Sequence, residues 1–201
     1  MRANVHPIEI ESFAILRARL DTTDLPPLSR AVVERVVHTT ADPSWAGELV
    51  CAEDALGAGR AALLAGAPLI ADVRMVAAGV TARPVTVALD LPGAPDLAAA
   101  PAHRTRSAAG IRAAAAAHPD GAVWVIGNAP TALAELVGLL DAGSVRSPLV
   151  IGLPVGFVGS VAAKAALRAC GAGAVSNRSE RGGAAVAAAA VNALLYAGEN
   201  P

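Results

Sequence analysis

The residue best placed for acid–base chemistry is His38, near the end of a valine-rich segment over residues 31–42. The valines recur at helical spacing and Ser29 is a suitable N-cap, so the pattern predicts an amphipathic helix that ends near His38. The negative end of a helix dipole favours a protonated imidazole, which would make His38 a proton donor near neutral pH. A histidine that ends such a helix is also often a capping or half-buried structural residue. The local pattern therefore indicates a candidate acid and leaves the structural role open.

No other catalytic or metal-binding pattern in the sequence competes with His38. Cys51 and Cys170 belong to no CxxC motif, and the four histidines show no HxH or HxxxH spacing. These spacings predict neither a disulfide framework nor a structural zinc site. The sequence also lacks a GxSxG elbow and a GxxxxGK[ST] loop, and the glycines of residues 152–159 depart from GxGxxG. Nicotinamide and ATP binding are therefore only weakly indicated, and no metal is expected.

Four segments that follow short apolar runs could bind an anionic ligand of fairly large size. Three of them are rich in glycine, so that backbone N–H groups and helix N-termini could approach an anion closely. Arg106, preceded by Thr105, adds a cation at the predicted start of another helix. The same segments could equally be tight turns between strands and helices. The segments are residues 71–74, 127–130, 152–159 and 177–183, and the candidate binding residues within them are Asp72, Arg74, Gly156, Gly159 and Arg181.

Short apolar runs alternate with helical segments along most of the chain. Continuous apolar runs separated by helices of roughly ten to fifteen residues are typical of parallel strands that are covered on both faces. The sequence therefore predicts a single three-layer α/β/α domain over residues 1–201, with a mainly parallel sheet of about five strands and the four loops at its carboxyl edge. The predicted strands are residues 67–71, 85–89, 122–126, 149–153 and 173–176, and the other predicted helices are residues 8–20, 53–65, 107–117, 131–140, 160–170 and 181–196.

Composition and charge exclude several classes of partner. Hydrophobic residues make up 54% of the chain and the mean hydropathy is +0.50, but alanine supplies much of this and no continuous run of large apolar residues reaches spanning length. Glu9 and Glu11 stand where a signal peptide would need an apolar core. The net charge of −1 provides no basic field for nucleic acid, and aromatic residues at 2% offer no stacking platform. We therefore expect a cytoplasmic protein that binds neither a membrane nor nucleic acid.

Eight motifs occur in an order that resembles the precorrin-8X methylmutase family, also called precorrin isomerases. Each motif is modest by itself, and the resemblance rests on their order over nearly the whole chain. The motifs are residues 12–15 (SFAI), 37–38 (VH) with Thr40 and Asp42, 66–70 (GAPLI), 72–76 (DVRMV), 105–109 (TRSAA), 126–133 (IGNAPTAL), 154–159 (PVGFVG) and 181–183 (RGG).

The resemblance implies an isomerase of cobalamin biosynthesis. Members of the family move a methyl group from C-11 to C-12 of the tetrapyrrole ring of precorrin-8X or cobalt-precorrin-8, which yields hydrogenobyrinate or its cobalt counterpart, and they need no redox cofactor. The resemblance implies that His38 donates and accepts the proton and that Ser12 and Arg106 lie at the substrate. It also implies a homodimer with sites near the subunit interface. The carboxylates of such a substrate suit Arg106 and the amides of the glycine loops.

Several positions depart from the usual pattern of the family, and they keep other interpretations open. One alternative is a divergent, non-catalytic protein that binds or carries corrinoid intermediates. A weaker alternative is an unrelated α/β enzyme for a small carboxylate or phosphate ligand. The departures are Ala41, Ala162 and Ala163 before Lys164, Glu180, Ala184, and a short segment after Val76.

Overall fold

The computed structural model describes residues 5–92 and 105–198 of the chain. The described residues form six short strands, nine α-helices and one 3-10 helix, Ala88–Asp90. The strands are β1 (Leu49–Cys51), β2 (Leu69–Ala71), β3 (Thr86–Val87), β4 (Val123–Ile126), β5 (Val150–Gly152) and β6 (Ala174–Asn177). The helices are α1 (Pro7–Arg19), α2 (Pro27–Thr40), α3 (Trp45–Glu48), α4 (Glu53–Leu64), α5 (Arg74–Gly79), α6 (Arg106–Ala117), α7 (Pro130–Asp141), α8 (Ser160–Ala169) and α9 (Ala184–Leu195). The proline- and alanine-rich connection expected after residue 89 lies mostly outside the described residues.

The six strands form one sheet in the order β1-β6-β5-β4-β2-β3. Strand β1 pairs antiparallel with β6, whereas the other four pairings are parallel. The order of the parallel strands reverses at β2, because β3 lies on one side of β2 and β4 lies on the other. In an open parallel sheet, ligands bind outside the carboxyl ends of the strands beside such a reversal. The loops that follow β2 and β4 therefore flank the expected crevice.

Helices cover both faces of the sheet. On one face, valines of α2, alanines of α9 and side chains of α4 and α5 pack against β2, β4 and β5. On the other face, α6, α7 and α8 pack around Trp124, which is fully buried. The predicted α/β/α architecture with a mainly parallel sheet is therefore confirmed.

Helix α9 is the main partner of the helix that carries His38. Its inward side is built from alanines, of which Ala187 and Ala190 are fully buried. Small side chains let the helix axes approach closely. A Cβ atom built on Gly79 of α5 would lie only 2.6 Å from the Cβ of Ala188, so α5 also packs tightly against α9. These close contacts fix α2 on the sheet.

The structure differs from the sequence prediction in several elements, and it contains two short helices, α3 and α5, that were not predicted. It contains the edge strand β1, which was not predicted and makes the sheet six-stranded. The predicted strand over residues 85–89 pairs only at Thr86–Val87, and the chain then turns into the 3-10 helix. Helix α9 begins at Ala184, three residues later than predicted, because Gly182 and Gly183 have φ angles of +155° and +128° that cannot belong to a helix.

The predicted N-cap of α2 is also wrong. The helix begins at Pro27, so Ser29 already lies in its first turn. The carboxylate of Glu53, from α4, accepts hydrogen bonds from the backbone N–H groups of Leu28 at 2.8 Å and Ser29 at 2.9 Å. Because Pro26 and Pro27 have no N–H group, these are the first donors that need a partner. A carboxylate from another helix therefore caps α2 in place of Ser29.

Candidate active site

The structure brings Ser12 and His38 together, although they lie on different helices. His38 is half-buried in the last turn of α2, and its Nδ1 atom lies 2.9 Å from the Ser12 Oγ atom on α1. A hydrogen bond at Nδ1 sets the orientation of the ring and its tautomer. When the Ser12 hydroxyl donates to Nδ1, the exchangeable proton of a neutral imidazole resides on Nε2. The arrangement therefore leaves Nε2 as the nitrogen for proton transfer.

A ring stack holds the imidazole from a second direction. The ring of Phe13, which is buried beneath α1, lies 4.9 Å from the His38 ring between centroids, and the two planes differ by only 12°. The Arg35 guanidinium carbon lies 5.0 Å from the Phe13 ring centroid. Arg35 also forms an ion pair with Glu9, at 2.7 Å between Nη1 and Oε1. Helices α1 and α2 thus fix His38 with one hydrogen bond, one stack and a buried charge pair nearby.

The electrostatic surroundings of His38 lower its pKa below the ordinary value for histidine. Burial is the largest cause, and the positive charge of Arg35 acts in the same direction, while Glu9 opposes them. This direction is opposite to the one expected from the helix dipole alone. At neutral pH the imidazole is therefore mostly neutral, and its protonated form gives up the proton more readily than an ordinary histidine does.

Two clefts meet at His38. The smaller one has a volume of about 120 Å³ and lies between α1 and the turn after α2. The larger one, of about 280 Å³, lies between α2, α5 and α9. Besides His38, the smaller cleft is lined by Ser12, Ile15, Leu16, Arg19, Val37, Ala41 and Pro43, and the larger one by Arg35, Thr39, Gly79, Ala185, Ala188, Ala189 and Asn192. Mostly small or apolar linings with a few polar groups are typical of ligand-binding pockets.

Asp72 fixes the crevice at the strand reversal. Its buried carboxylate accepts hydrogen bonds from the backbone N–H groups of Gly127 at 3.1 Å and of Asn128 and Ala129 at 2.9 Å. Burial raises the pKa of the Asp72 carboxyl, although these N–H groups act against the increase. The carboxylate is thus committed to the loop after β4. The sequence suggested Asp72 as a ligand-binding residue. Its hydrogen bonds in the structure indicate instead that it holds this loop.

Arg181, in the loop after β6, binds the turn that follows His38. Its guanidinium pairs with the Asp42 carboxylate, donates to the Ser44 Oγ atom at 2.9 Å and lies 4.5 Å above the Trp45 ring. These contacts tie the carboxyl edge of β6 to the end of α2. Arg181 therefore supports the position of His38, and its own charge is largely neutralised by Asp42.

A buried lysine holds the same loop from below. Lys164 on α8 is fully buried, and its Nζ atom donates to the carbonyl oxygens of Ser179 at 2.8 Å and Arg181 at 2.5 Å. Burial lowers the pKa of Lys164 to about 8. The Gly156 N–H group donates to the carbonyl of Glu180 at 3.0 Å, which joins the loop after β5 to the same unit. The loops after β5 and β6 are therefore joined to each other by backbone hydrogen bonds.

The two glycines predicted in the loop after β5 occupy positions that favour glycine. Gly156 has a φ of +152° and Gly159, which precedes α8, has a φ of +77°. Side chains would be strained in both conformations. Between these glycines, Phe157 and Val158 are 94% and 88% exposed. The loop thus presents apolar side chains at the carboxyl edge of the sheet.

The remaining predicted binding residues lie on the other side of the crevice. Thr105 caps α6, and its Oγ1 atom lies 2.7 Å from that of Thr131. Arg106 is exposed in the first turn of α6, and Arg74 is exposed and pairs with Asp90 at 2.8 Å. Because α6 covers the opposite face of the sheet from α2, no contact in the described part of the chain joins Arg106 to His38.

Several residues that shape the site were not predicted from the sequence. Glu9, Phe13 and Arg35 surround His38, and Lys164 supports the loop of Arg181. One signal was available for Arg35, since a charged residue interrupts the valine stripe one helical turn before His38. The role of Phe13 had no such signal, because an aromatic residue at helical spacing is indistinguishable from an ordinary core residue.

Within residues 5–92 and 105–198, no group of three or more His, Cys, Asp or Glu side chains is arranged to hold a metal ion. The helices of the same ranges include none that is long and apolar enough to span a bilayer.

Comparison with known proteins identifies close relatives over nearly the full length. Residues 7–197 match the model of the family described as precorrin-8X methylmutase. The chain is 42% identical over 192 residues to the precorrin-8X methylmutase of Pseudomonas aeruginosa, with 92% of this chain and 91% of the relative covered. It is 36% identical over 169 residues to the cobalt-precorrin-8 methylmutase of Methanocaldococcus jannaschii, with 84% and 80% covered. The crystal structure of the precorrin-8X methylmutase from Thermus thermophilus superimposes with a TM-score of 0.84 at 33% identity, covering 96% of this chain and 98% of that one.

Proposed function

The chain belongs to the precorrin-8X methylmutase family, and from this premise we propose that His38 supplies the proton for a methyl shift on precorrin-8X or cobalt-precorrin-8. Family membership makes the protein an isomerase of cobalamin biosynthesis. The names of the relatives include both substrates, one without cobalt and one with it. A shift between two carbons at the edge of the ring involves no bond to the metal. Both substrates are therefore included in the proposal.

The proposed reaction needs one proton, which His38 donates to the substrate and later accepts back. Protonated His38 transfers its Nε2 proton to the conjugated ring, which draws electron density away from the carbon that carries the migrating methyl group. The methyl group moves from C-11 to C-12, and the rearranged ring returns the proton to Nε2. No atoms are gained or lost, as an isomerisation requires. While Nε2 is without its proton, the remaining ring proton is on Nδ1 and is donated to the Ser12 Oγ atom, so Ser12 holds the imidazole in place throughout.

The observation that carries the proposal is the Ser12–His38 hydrogen bond beside two clefts. A proton-transfer group must be held in one orientation, and here a 2.9 Å hydrogen bond and a parallel ring stack do so. A purely structural histidine would not need to form the wall of two open clefts. This geometry, together with the family, favours catalysis over the alternative of a non-catalytic corrinoid carrier.

Local cations and backbone groups are proposed to bind the carboxylates of the substrate. Arg106 and Arg74 are exposed near the carboxyl edge, and Arg106 opens helix α6, where free N–H groups and the helix dipole also favour an anion. The net charge of −1 gives no long-range attraction for a polyanion. Binding then depends on these individual groups.

We propose a homodimer in which a second copy completes the site. Pockets that enclose a drug-sized ligand usually measure about 300–1,000 Å³, whereas the clefts at His38 measure about 120 and 280 Å³. A tetrapyrrole is larger than such a ligand, so one chain leaves much of the ring uncovered. Exposed apolar side chains near the site, above all Phe157, suit contact with a partner. A cytoplasmic location is proposed as well, since Cys51 and Cys170 are both free thiols.

The decisive experiment compares His38→Ala with the wild-type protein on precorrin-8X. The absorbance of the product is followed over time, and product binding is measured separately by titration. We expect turnover to fall by about 100-fold or more, the usual contribution of a general acid, while the dissociation constant of the product changes by only a few fold. His118→Ala, at the end of α6, is the matched control and should turn over normally.

Two results would contradict the proposal. An unchanged rate in His38→Ala would exclude His38 as the acid. Binding of precorrin-8X by the wild-type protein without any product absorbance would instead favour the non-catalytic carrier.

A further inference from the structure

Arg19 lies in the His38 cleft but has no role in the site as described so far. It is the last residue of α1 and lines the smaller cleft together with Ser12 and His38. Arg19 follows Ser12 by seven residues, which places it on the same side of the helix and about 10 Å further along the axis. Ile15 lies between them on that side. The remaining lining residues are apolar, so Arg19 is the charged side chain of this cleft.

Two neighbouring arginines pair with protein carboxylates, whereas the guanidinium of Arg19 is accessible to a ligand. The guanidinium of Arg17 pairs with the carboxylate of Glu34 at 2.8 Å, and that of Arg35 pairs with Glu9 at 2.7 Å. Among the residues that the structure describes, no carboxylate lies within ion-pairing distance of Arg19. Its side chain is exposed at the mouth of the cleft. A ligand carboxylate can therefore reach this guanidinium without displacing a protein partner.

We infer that Arg19 binds one of the side-chain carboxylates of the tetrapyrrole when an edge of the ring faces His38. The inference rests on the proposed function, because it takes the substrate class from there. A guanidinium pairs with a carboxylate through two parallel hydrogen bonds, and this pairing fixes direction as well as distance. Arg19 thus determines which edge of the ring is presented to the Nε2 atom.

A simpler role for Arg19 would be to stabilise the helix dipole. A cation in the last turn of a helix interacts favourably with the free carbonyl groups there. That role affects folding stability only and is independent of the ligand. Measurements of ligand binding therefore distinguish the two roles, provided that the charge of the ligand is varied as well.

The test compares Arg19→Ala and Arg19→Lys with the wild-type protein in two assays. The first measures KM and kcat for precorrin-8X. The second titrates hydrogenobyrinate and a derivative in which all side-chain carboxylates are amidated. Arg146→Ala, which removes an exposed arginine from the opposite edge of the sheet, is the matched control.

For Arg19→Ala we expect KM and the Kd of hydrogenobyrinate to rise about tenfold, the effect of one charge-assisted pair, with kcat within about twofold of wild type. Arg19→Lys should recover part of the loss. The amidated derivative should bind wild type and Arg19→Ala equally. Arg146→Ala should resemble wild type.

Three results would overturn the inference while the wild-type protein still turns over precorrin-8X. These are an unchanged KM and Kd in Arg19→Ala, an equal increase in Arg146→Ala, or an equal loss for the amidated derivative. If the wild-type protein shows no turnover, the proposed function fails instead. Titration of hydrogenobyrinate then still decides whether Arg19 binds a carboxylate.

Discussion

At His38, two charges of opposite sign act on one imidazole. Arg35 lies one helical turn before His38 on α2 and lowers its pKa, whereas Glu9 reaches over from α1, pairs with Arg35 and raises it. Burial adds to the effect of Arg35, so that the pKa lies below its ordinary value. The protonated form is thus a stronger acid than an ordinary histidine, but it is a minor population at neutral pH. Its abundance should determine how the rate varies with pH.

We expect kcat/KM to decrease as the pH rises through the pKa of His38, at a value below the ordinary 6.5. In the proposed mechanism only protonated His38 starts the reaction, and this form is lost above its pKa. In Glu9→Gln the carboxylate that raises the pKa is absent, so the decrease should move to lower pH and the rate at pH 7 should fall. A pH profile of both proteins measures the shift.

Glu11→Gln is the control for this experiment, because it makes the same change on the solvent side of α1. Its profile should match that of the wild type. A Glu9→Gln profile that shifts towards higher pH would show that the Glu9–Arg35 pair does not set the acidity of His38.

The sequence indicated the position of His38 in its helix, but not its electrostatic state. Its position in the last turn of a valine-rich helix was read correctly from local spacing. The helix dipole then gave the wrong direction for the pKa, because burial and Arg35 outweigh it. Burial depends on α1, which is distant in sequence. Local patterns contain no information on how deeply a side chain will be covered.

At the level of elements, α4 shows how closely helices and sheet approach. Gly57 and Gly59 lie on the same helix, two residues apart and hence on different sides. A Cβ atom at Gly59 would lie 2.4 Å from Cδ2 and 2.6 Å from Cβ of Leu149, at the start of β5. A Cβ atom at Gly57 would have no neighbour within 4 Å. Only Gly59 is therefore required by packing.

Alanine substitutions at the two glycines should affect stability in opposite directions. Gly57→Ala should increase the free energy of unfolding by about 0.5–1 kcal/mol, since alanine favours the helix. Gly59→Ala should decrease it by about 1–3 kcal/mol, since the new methyl group pushes α4 away from the sheet. Urea unfolding of both variants gives the two values. A Gly59→Ala variant as stable as Gly57→Ala would mean that α4 does not pack against Leu149.

Elements with a strong apolar pattern of their own were predicted well. Elements that depend on a partner distant in sequence were not. The long helices and the buried parallel strands lie close to their predicted bounds, because the spacing of their apolar residues is enough to identify them. Strand β1 has only three residues and exists through pairing with β6. The cap of α2 comes from Glu53, which lies 24 residues beyond Ser29. Neither partner can be read from the local sequence.

At the level of the whole molecule, the loop after β5 carries exposed apolar surface. Phe157 and Val158 project from the loop after β5, and that loop is fixed to the Arg181 loop through the Gly156–Glu180 hydrogen bond. A loop with exposed apolar side chains is better suited to a protein interface than to water. The proposed dimer accounts for this surface.

We expect the wild-type protein to sediment with about twice the chain mass of 19.9 kDa. Phe157→Ser should raise the dissociation constant of the dimer and reduce turnover in parallel, because a monomer leaves the ring uncovered. Leu64→Ser, which changes an exposed apolar residue at the end of α4, is the control and should leave both properties unchanged. Full activity in a wild-type monomer would rule out the dimeric site.

Strand β1 and helix α2 are synthesised long before their partners β6 and α9. On a ribosome that adds about 5–20 residues per second, Val50 is made roughly ten seconds before its partner Ser176. Until α9 emerges, the valine face of α2 lacks its main packing partner. During that interval it is open to chaperones and to aggregation. His38 is thus made well before Ala188 and Ala189 of α9, which line its larger cleft.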